Sequence, residues 1–345
     1  MRVLVLYKRV FVTFVTLRAF VMLVAVIPLR AQSITAEAAL TGGLSSDEVS
    51  AAAAQVRVFG DVTHDIRFFG EAAWAGRSLS EDDHESDSFN AAYPYTNRVQ
   101  IVEAYGERIF RPHAGLIGVR AGRFRTPFGI YNASDHAYSG FLRAPLVRYE
   151  EYSPLSNTFL EHGADLVVGI PSLTVEAALA APADIGEVAR GSGVDAVIRV
   201  QGYVGPFIAG VSHMRTPNSQ LALDASGRTT VTGIDLRWMH GGVQLRGEWV
   251  TGQPSGAATT TGWYGDALIH RAFMGPVTAV VRIERLDWTD AHSAEEEYLS
   301  RQTVGARIRL TNTVVLQVNA LHETGDDEYL PRALDVAVTW TVRKP

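Results

Sequence analysis

The feature that most constrains this chain is an alternation of apolar and polar side chains with a period of two residues. In residues 304–310, apolar side chains alternate with Arg307 and Arg309, and residues 314–320 repeat the pattern after a Thr-Asn-Thr turn. Successive side chains of a β-strand face opposite sides, so each such segment has one apolar and one polar face. The pattern therefore predicts β-strands rather than helices.

Sixteen segments with this period follow one another along the chain. They cover roughly 33–41, 54–60, 64–75, 97–109, 115–124, 163–170, 172–180, 192–203, 206–214, 229–239, 242–250, 262–272, 276–288, 301–310, 313–322 and 332–343. An even number of short alternating strands is typical of outer-membrane barrels, whose outward face is apolar and whose interior is polar. We therefore expect an all-β fold, a transmembrane antiparallel up-and-down β-barrel of about 16 strands.

The connections between these segments alternate in length. Short ones contain Pro, Gly or Asn, which supply the backbone angles of tight turns. They are 61–63, 111–114, 170–171, 205–206, 240–242, 275–276 and 311–313. The long, polar connections are 42–53, 76–96, 125–162, 181–191, 215–228, 251–261, 289–300 and 323–331. This alternation predicts short periplasmic turns, long external loops and both chain termini in the periplasm.

The first residues have the layout of a secretory signal. Three basic residues precede an apolar run over 10–29, which ends at the small residue Ala31. Arg18 interrupts the run, which argues against the alternative of a transmembrane helical anchor. We expect residues 1–31 to be a cleaved signal peptide and 32–345 to be the barrel.

Composition narrows the possible functions. The chain has no cysteine, so thiolate metal sites and thiol nucleophiles are excluded. Residues 1–31 contain five basic and no acidic residues, so the formal net charge changes from −6 to −11 on their removal. An acidic chain is unsuited to general nucleic-acid binding, and we expect no nucleic-acid partner.

The six tryptophans fall near predicted strand ends. Trp74, Trp249, Trp263 and Trp288 are expected near the outer ends, and Trp238 and Trp340 near the periplasmic ends. Tryptophan favours the membrane–water interface, because its ring is apolar and its N–H needs a partner. We therefore predict that all six form aromatic girdles.

One segment resembles a known family. Residues 122–129 read Gly-Arg-Phe-Arg-Thr-Pro-Phe-Gly and follow a strand–turn–strand unit that begins near Glu103. This segment is similar to the Gly-Arg-Phe-x-x-Pro-Phe-Gly block of the phosphate-selective porin O and P family. The resemblance implies a sixteen-stranded, trimeric outer-membrane channel whose loop after the block folds into the lumen.

The loop 125–162 is the candidate constriction. Pro127 cannot donate to a strand ladder and Gly129 permits a sharp change of direction, so both are predicted hinge residues. The candidates to line the constriction are Arg123, Arg125, Arg143 and Arg148. Arginines in a pore favour anions. The alternative is that they pair with Asp135, Glu150, Glu151 or Glu161 and give no selectivity.

Other charged residues complete the expectation. Arginines and carboxylates alternate on the predicted lumen face, where we expect cross-strand ion pairs. Acidic clusters at 81–83, 295–297 and 326–328 could hold cations that bridge lipopolysaccharide, or could simply be solvated.

No sequence motif indicates catalysis, a metal site or a cofactor. The expected function is that of a porin for passive diffusion of small anionic or neutral solutes, with a possible anion preference. The expected partners are outer-membrane lipid, lipopolysaccharide and further copies in a homotrimer. A plugged structural or surface-interaction barrel is the alternative.

Overall fold

The computed structural model describes residues 33–46, 50–78, 98–130, 141–148, 160–182, 193–217, 228–252, 259–270, 275–289, 296–326 and 332–344. The predicted signal peptide over 1–31 lies outside these residues and stays a prediction.

Sixteen antiparallel strands form one closed barrel, in which each strand pairs with its neighbours in the chain and β1 pairs with β16. The strands are β1 Ser33–Ser45, β2 Ser50–Asp61, β3 Ile66–Ser78, β4 Val99–Phe110, β5 Leu116–Arg125, β6 Leu160–Ile170, β7 Leu173–Pro182, β8 Asp195–Val204, β9 Phe207–Pro217, β10 Arg228–His240, β11 Val243–Gly252, β12 Thr260–His270, β13 Val277–Thr289, β14 Glu296–Arg309, β15 Val314–Gly325 and β16 Arg332–Lys344. Closure gives each of the described strands a hydrogen-bonded neighbour on both sides, as a lipid environment requires.

The predicted fold class and the strand count are confirmed. Each predicted segment coincides with one strand, and the differences lie at the ends. The largest is in β14, which begins at Glu296 because the ladder with β13 continues to the pair Thr289–Glu296. The run of three glutamates hides the alternation there, so the sequence pattern starts later than the strand.

The two faces of the barrel differ as the alternation predicts. On β13, Val281 and Ile283 are 42% and 50% exposed on the outer surface. The intervening Arg282 and Glu284 are buried inside the barrel. Apolar side chains on the outside and charged ones inside are the reverse of a water-soluble protein, and they match a lipid-facing wall.

The tight turns use the expected residue types. His240 pairs with Val243 across a two-residue turn, in which Gly241 has φ 58° and Gly242 has φ 87°. Two consecutive positive φ values define the hairpin turn whose twist suits antiparallel strands. In the turn after β14, the Thr311 hydroxyl accepts hydrogen bonds from the backbone N–H groups of Thr313 and Val314.

A hydrophobic cluster lies inside the barrel. Phe124 at the end of β5 and Phe128 and Val147 from the following loop pack against wall residues of β7 to β12. These wall residues are Ala178, Ala180, Val197, Met214, Val231, Val250 and Tyr264. The cluster holds the loop against the inner wall. Within the described part of the chain, no helix is long and apolar enough to cross a membrane.

Candidate functional site in the barrel lumen

The loop that follows β5 turns into the barrel. The strand ends at Arg125, and Pro127 and Gly129 are both buried. Gly129 has φ 60°, a left-handed conformation that side chains with a Cβ rarely adopt. Its backbone N–H donates to the Ser212 hydroxyl on β9 at 3.1 Å. The two predicted hinge residues thus lie where the chain leaves the wall.

Phe128 packs directly on the opposite wall. A Cβ placed on Gly233 of β10 would lie only 2.8 Å from the Phe128 ring, so a glycine there lets the ring approach the strand. The ring is fully buried. Burying a phenylalanine at a site shaped for it is worth about 1.5–3 kcal/mol.

The loop segment 141–148 lies along the inner face of β12 to β16. The backbone N–H of Leu142 donates to Asn319 Oδ1 at 2.8 Å, and that of Leu146 donates to Glu284 Oε2 at 2.6 Å. Wall side chains therefore satisfy backbone groups that would otherwise be buried without a partner. The only regular structure in the segment is a 3₁₀ helix, Leu146–Arg148.

Two arginines of the wall bind carbonyl groups of the same segment. Arg282 Nη1 donates to the carbonyl of Arg143 at 3.0 Å, and Arg301 Nη2 donates to the carbonyl of Ala144. Both wall side chains are 1% exposed. They act as structural donors to the loop, since their guanidinium groups are covered by it.

Arg143 anchors the segment to β16. Its Nε donates to Asp335 Oδ2 at 2.7 Å, and its Nη2 donates to Asp335 Oδ1 at 3.1 Å. The Arg143 side chain is 4% exposed and that of Asp335 is 0% exposed. Burial lowers the pKa of this guanidinium, but the hydrogen bond and charge of Asp335 outweigh burial and raise the pKa above its ordinary value.

Arg125 also faces the interior and is paired. Its Nη2 lies 3.3 Å from Glu71 Oε1, and its Nε lies 3.3 Å from Glu103 Oε2. Glu71 in turn accepts a hydrogen bond from Arg57 Nε at 2.7 Å. The predicted lumen-facing ion pairs are therefore present here, and they bind Arg125 to the wall of β3 and β4.

The prediction that Arg123 lines the lumen is wrong. Arg123 has the same orientation on β5 as Ile117 and Val119, which are 37% and 43% exposed on the outer surface. Its Nη1 lies 3.3 Å from His162 Nε2. Strand alternation places it outside because inward positions on β5 are Arg120, Gly122 and Phe124.

The side chain of Arg148 lies outside the described residues, so its predicted role stays a prediction. The candidate loop carboxylates Asp135, Glu150 and Glu151 are likewise outside the described residues. Glu161 is described, and it accepts a hydrogen bond from the Thr126 hydroxyl at 2.8 Å.

Sequence reasoning missed part of the inner wall network. Asp266 binds two arginines, since its carboxylate lies 2.7 Å from Arg246 Nε and 2.6 Å from Arg282 Nε. Arg301 similarly bridges Glu284 at 2.7 Å and Glu323 at 3.2 Å. Alternation predicts that Arg246, Arg282 and Glu284 face the lumen, and it would also have found the missed residues Asp266, Arg301 and Glu323. It could not have predicted which of them pair.

A second charged group lies on the wall of β4 to β7. Glu107, Arg120 and Asp165 are cross-strand neighbours in one row. Arg120 Nη2 lies 3.5 Å from Asp165 Oδ2 and 3.6 Å from Glu176 Oε1. The Arg120 guanidinium also lies 4.9 Å from the ring centre of Tyr105, within cation–π range.

Five tryptophans lie on the outer surface. Trp249 and Trp263 form a cross-strand pair near the long-loop rim, and both are 39% exposed. Trp340 is also 39% exposed, toward the short-turn rim. By strand alternation, Trp74 on β3 and Trp238 on β10 also face outward. These positions agree with two belts of interfacial aromatic residues.

Trp288 does not belong to the girdle. It is 8% exposed and packs inside the barrel with Leu146, Leu286 and Leu299. Trp288 lies on the same face of β13 as Arg282 and Glu284, which is the face that points into the barrel. The sequence prediction placed it at the correct rim but did not consider which face it occupies.

No described group of three or more His, Cys, Asp or Glu side chains could hold a metal ion. His162 lies on the outer surface beside Arg123, away from the interior carboxylates. His136 lies outside the described residues.

Solved structures with the same architecture are outer-membrane proteins. A loop-deletion mutant of OmpT from Vibrio cholerae is 11% identical, covers 90% of this chain and 98% of its own, and superposes with a TM-score of 0.61. OmpF of Salmonella typhi, in complex with daunomycin, is 11% identical over 90% and 97%, with a TM-score of 0.61. An anion-selective porin from Comamonas acidovorans is 13% identical over 90% and 99%, with a TM-score of 0.59.

No family model matches the sequence, and no curated protein matches it. The similarity shows that this chain has the barrel fold of outer-membrane porins. At such low identity it shows the fold alone. The relation to the phosphate-selective porin O and P family is not confirmed.

Proposed function

We propose that this protein is an outer-membrane porin that allows small hydrophilic solutes and ions to diffuse through a water-filled lumen. The observation that supports this most is the closed sixteen-strand barrel with an apolar outside and a charged inside. A barrel of this strand number is wide enough for an aqueous channel. This diffusion is passive and requires no cofactor or catalytic residue.

The loop segments 126–130 and 141–148 set the size limit in this proposal. They occupy part of the lumen and are fixed to the wall by side chains of β9 to β16. A loop held by buried contacts narrows the passage permanently, because opening it would expose the hydrophobic cluster and the Arg143–Asp335 pair. Hinge residues Pro127 and Gly129 direct the chain into this position.

We do not extend the predicted anion preference to this function. Arg123 faces outward, Arg125 pairs with two glutamates and Arg143 is buried against Asp335. Lys344 is the only lysine after residue 31, so a lysine-rich phosphate path is also missing from the sequence. The anion selectivity named for the Comamonas protein is therefore not proposed for this chain.

Location and assembly complete the proposal. The proposed location is an outer membrane of lipid and lipopolysaccharide, with both termini on the periplasmic side. The aromatic residues near both rims of the outer face support it. About half of the outward positions of β1 to β4 are small residues. They include Ala36, Ala38, Gly42, Ala52, Gly70, Ala72, Ala104 and Gly106. Small side chains permit close approach of another subunit in a membrane, which supports a homotrimer.

Reconstitution in a planar lipid bilayer tests the function. The expected result is stepwise, voltage-driven conductance in KCl, together with swelling of proteoliposomes in small sugars. Barrels that insert fully but give no conductance steps would rule out the channel and favour the plugged structural barrel. Insertion is checked independently by resistance of the barrel to protease.

A further inference from the structure

The charged side chains of the lumen are not equally accessible. Arg282 of β13 and Arg301 of β14 lie beneath the segment 141–148, and each is 1% exposed. On the wall of β5 and β7, the side chains of Arg120 and Glu176 are each 20% exposed. Lumen water therefore contacts Arg120 and Glu176 more than it contacts Arg282 and Arg301.

The wall of β1 to β8 has more carboxylates than guanidinium groups. Between β1 and β8, the described inward-facing side chains away from the turns include eight carboxylates and four guanidinium groups. The carboxylates are Glu37, Glu71, Glu103, Glu107, Glu161, Asp165, Glu176 and Asp195. The guanidinium groups are Arg57, Arg120, Arg125 and Arg199. Glu71, Glu161, Asp165, Asp195 and Arg199 are buried, so four of the carboxylates and three of the guanidinium groups are accessible to lumen water. A lumen wall with one prevailing sign of charge concentrates ions of the opposite sign.

The imbalance is sharpest around Arg120. Asp165 and Glu176 approach the same nitrogen of this arginine, and Glu107 is its cross-strand neighbour on the other side. Three carboxylates thus lie around one guanidinium group, and two of them are within ion-pair distance of it. The distances of 3.5 Å and 3.6 Å allow Coulomb attraction but exceed a good hydrogen bond.

Asp165 is the buried member of this group, with 1% of its surface exposed. Lumen water reaches Glu176, whose side chain is 20% exposed, and the half-buried Glu107 instead. The accessible negative charge of the group therefore lies on these two glutamates.

We propose that the lumen prefers small monovalent cations, and that Glu107 and Glu176 on β4 and β7 determine this preference. The effect is electrostatic attraction to a wall and needs no metal coordination. The inference rests on the proposed channel function, and it reverses the ion preference expected from the sequence.

The test is the reversal potential in a KCl gradient at neutral pH. The expected permeability ratio of K⁺ to Cl⁻ is above 1 for the unmodified protein. The double variant Glu107→Gln and Glu176→Gln should lower the ratio by roughly twofold, because it removes two lumen charges with little change of shape. Arg120→Gln should raise the ratio.

A matched control removes a carboxylate outside the lumen. Asp287 has the outward phase of β13, where it pairs with Arg285, and its side chain is 43% exposed. Asp287→Asn should leave the permeability ratio unchanged. Heat-dependent mobility in detergent gels verifies that each variant is folded.

The outcomes are separable. Conductance with a ratio at or below 1 would overturn the cation preference and leave the channel intact. A ratio above 1 that the double variant does not lower would overturn the assignment to these residues. Absence of conductance would overturn the proposed function, and the inference with it.

Discussion

Arg143 and Asp335 are joined by two hydrogen bonds, at 2.7 Å and 3.1 Å, although they are 192 positions apart in the sequence. One residue belongs to the loop inside the barrel and the other to the last strand. The pair therefore connects the candidate constriction to the seam where β1 meets β16, and Ser45 of β1 donates its hydroxyl to Asp335 Oδ1 at 2.6 Å.

Removing this anchor should widen the channel. Arg143→Ala leaves the Asp335 carboxylate buried without its cation, which costs about 3–5 kcal/mol and releases the segment 141–148 from β16. Single-channel conductance and the size limit for sugars in liposome swelling should both increase. Arg143→Lys is the control, since it keeps the charge but loses the paired hydrogen bonds to Asp335. Its conductance should lie between those of the unmodified protein and Arg143→Ala. Unchanged conductance in Arg143→Ala would show that the segment does not limit the passage.

The contact between Arg143 and Asp335 should persist at alkaline pH. The pKa of Arg143 is raised in the folded protein, so the stability from its charge is present at and below neutral pH. That stability is lost only as the pH rises through the raised value. Conductance measured from about pH 6 to pH 10 should show no step caused by loop release. A reversible increase of conductance in this range that is absent in Arg143→Ala would contradict the assignment.

Phe128 should be the main hydrophobic contact of the loop base. Phe128→Ala leaves a cavity beside Gly233 and should lower the free energy of unfolding by about 3–5 kcal/mol. Ile234, which neighbours Gly233 but faces outward and is 52% exposed, provides the control. Urea unfolding in lipid vesicles should show a much smaller effect for Ile234→Ala. Equal effects of the two substitutions would exclude a special role for the interior cluster.

The two orientations of tryptophan can be separated by fluorescence. In single-tryptophan variants, Trp249 and Trp263 should be quenched strongly by brominated lipids, because both are exposed on the outer face. Trp288 should be quenched weakly, since its ring packs inside the barrel against Leu146. Strong quenching of Trp288 by lipid would contradict the inward position.

The sequence predicted the strands well because strand alternation is local. Each side chain of β13 can be assigned to a face by counting residues from Val281, and the turn at Gly241 and Gly242 follows from the glycines alone. The same counting would have placed Arg123 and Trp288 correctly. Arg123 was misassigned because it was placed from a sequence motif, and Trp288 because it was placed from the preference of tryptophan for interfaces. In neither case was the face of the strand counted.

The constriction was only partly accessible to prediction. Pro127 and Gly129 mark where the chain leaves the wall, since their backbone properties act at their own positions. The pairing of charged side chains in the lumen could not be predicted in the same way. The sequence left open whether Arg125 is paired and offered only loop carboxylates and Glu161 as partners, whereas Glu71 and Glu103 on neighbouring strands bind it.

The sequence by itself therefore determined a sixteen-stranded barrel, the faces of its strands and the point where the loop begins. Those properties depend on periods of two residues and on single backbone angles. Only the tertiary structure decided which arginines are neutralised and which carboxylates remain accessible. Barrel closure and loop insertion bring together residues far apart in the chain, such as Arg143 and Asp335, and Coulomb interactions depend on that distance in space.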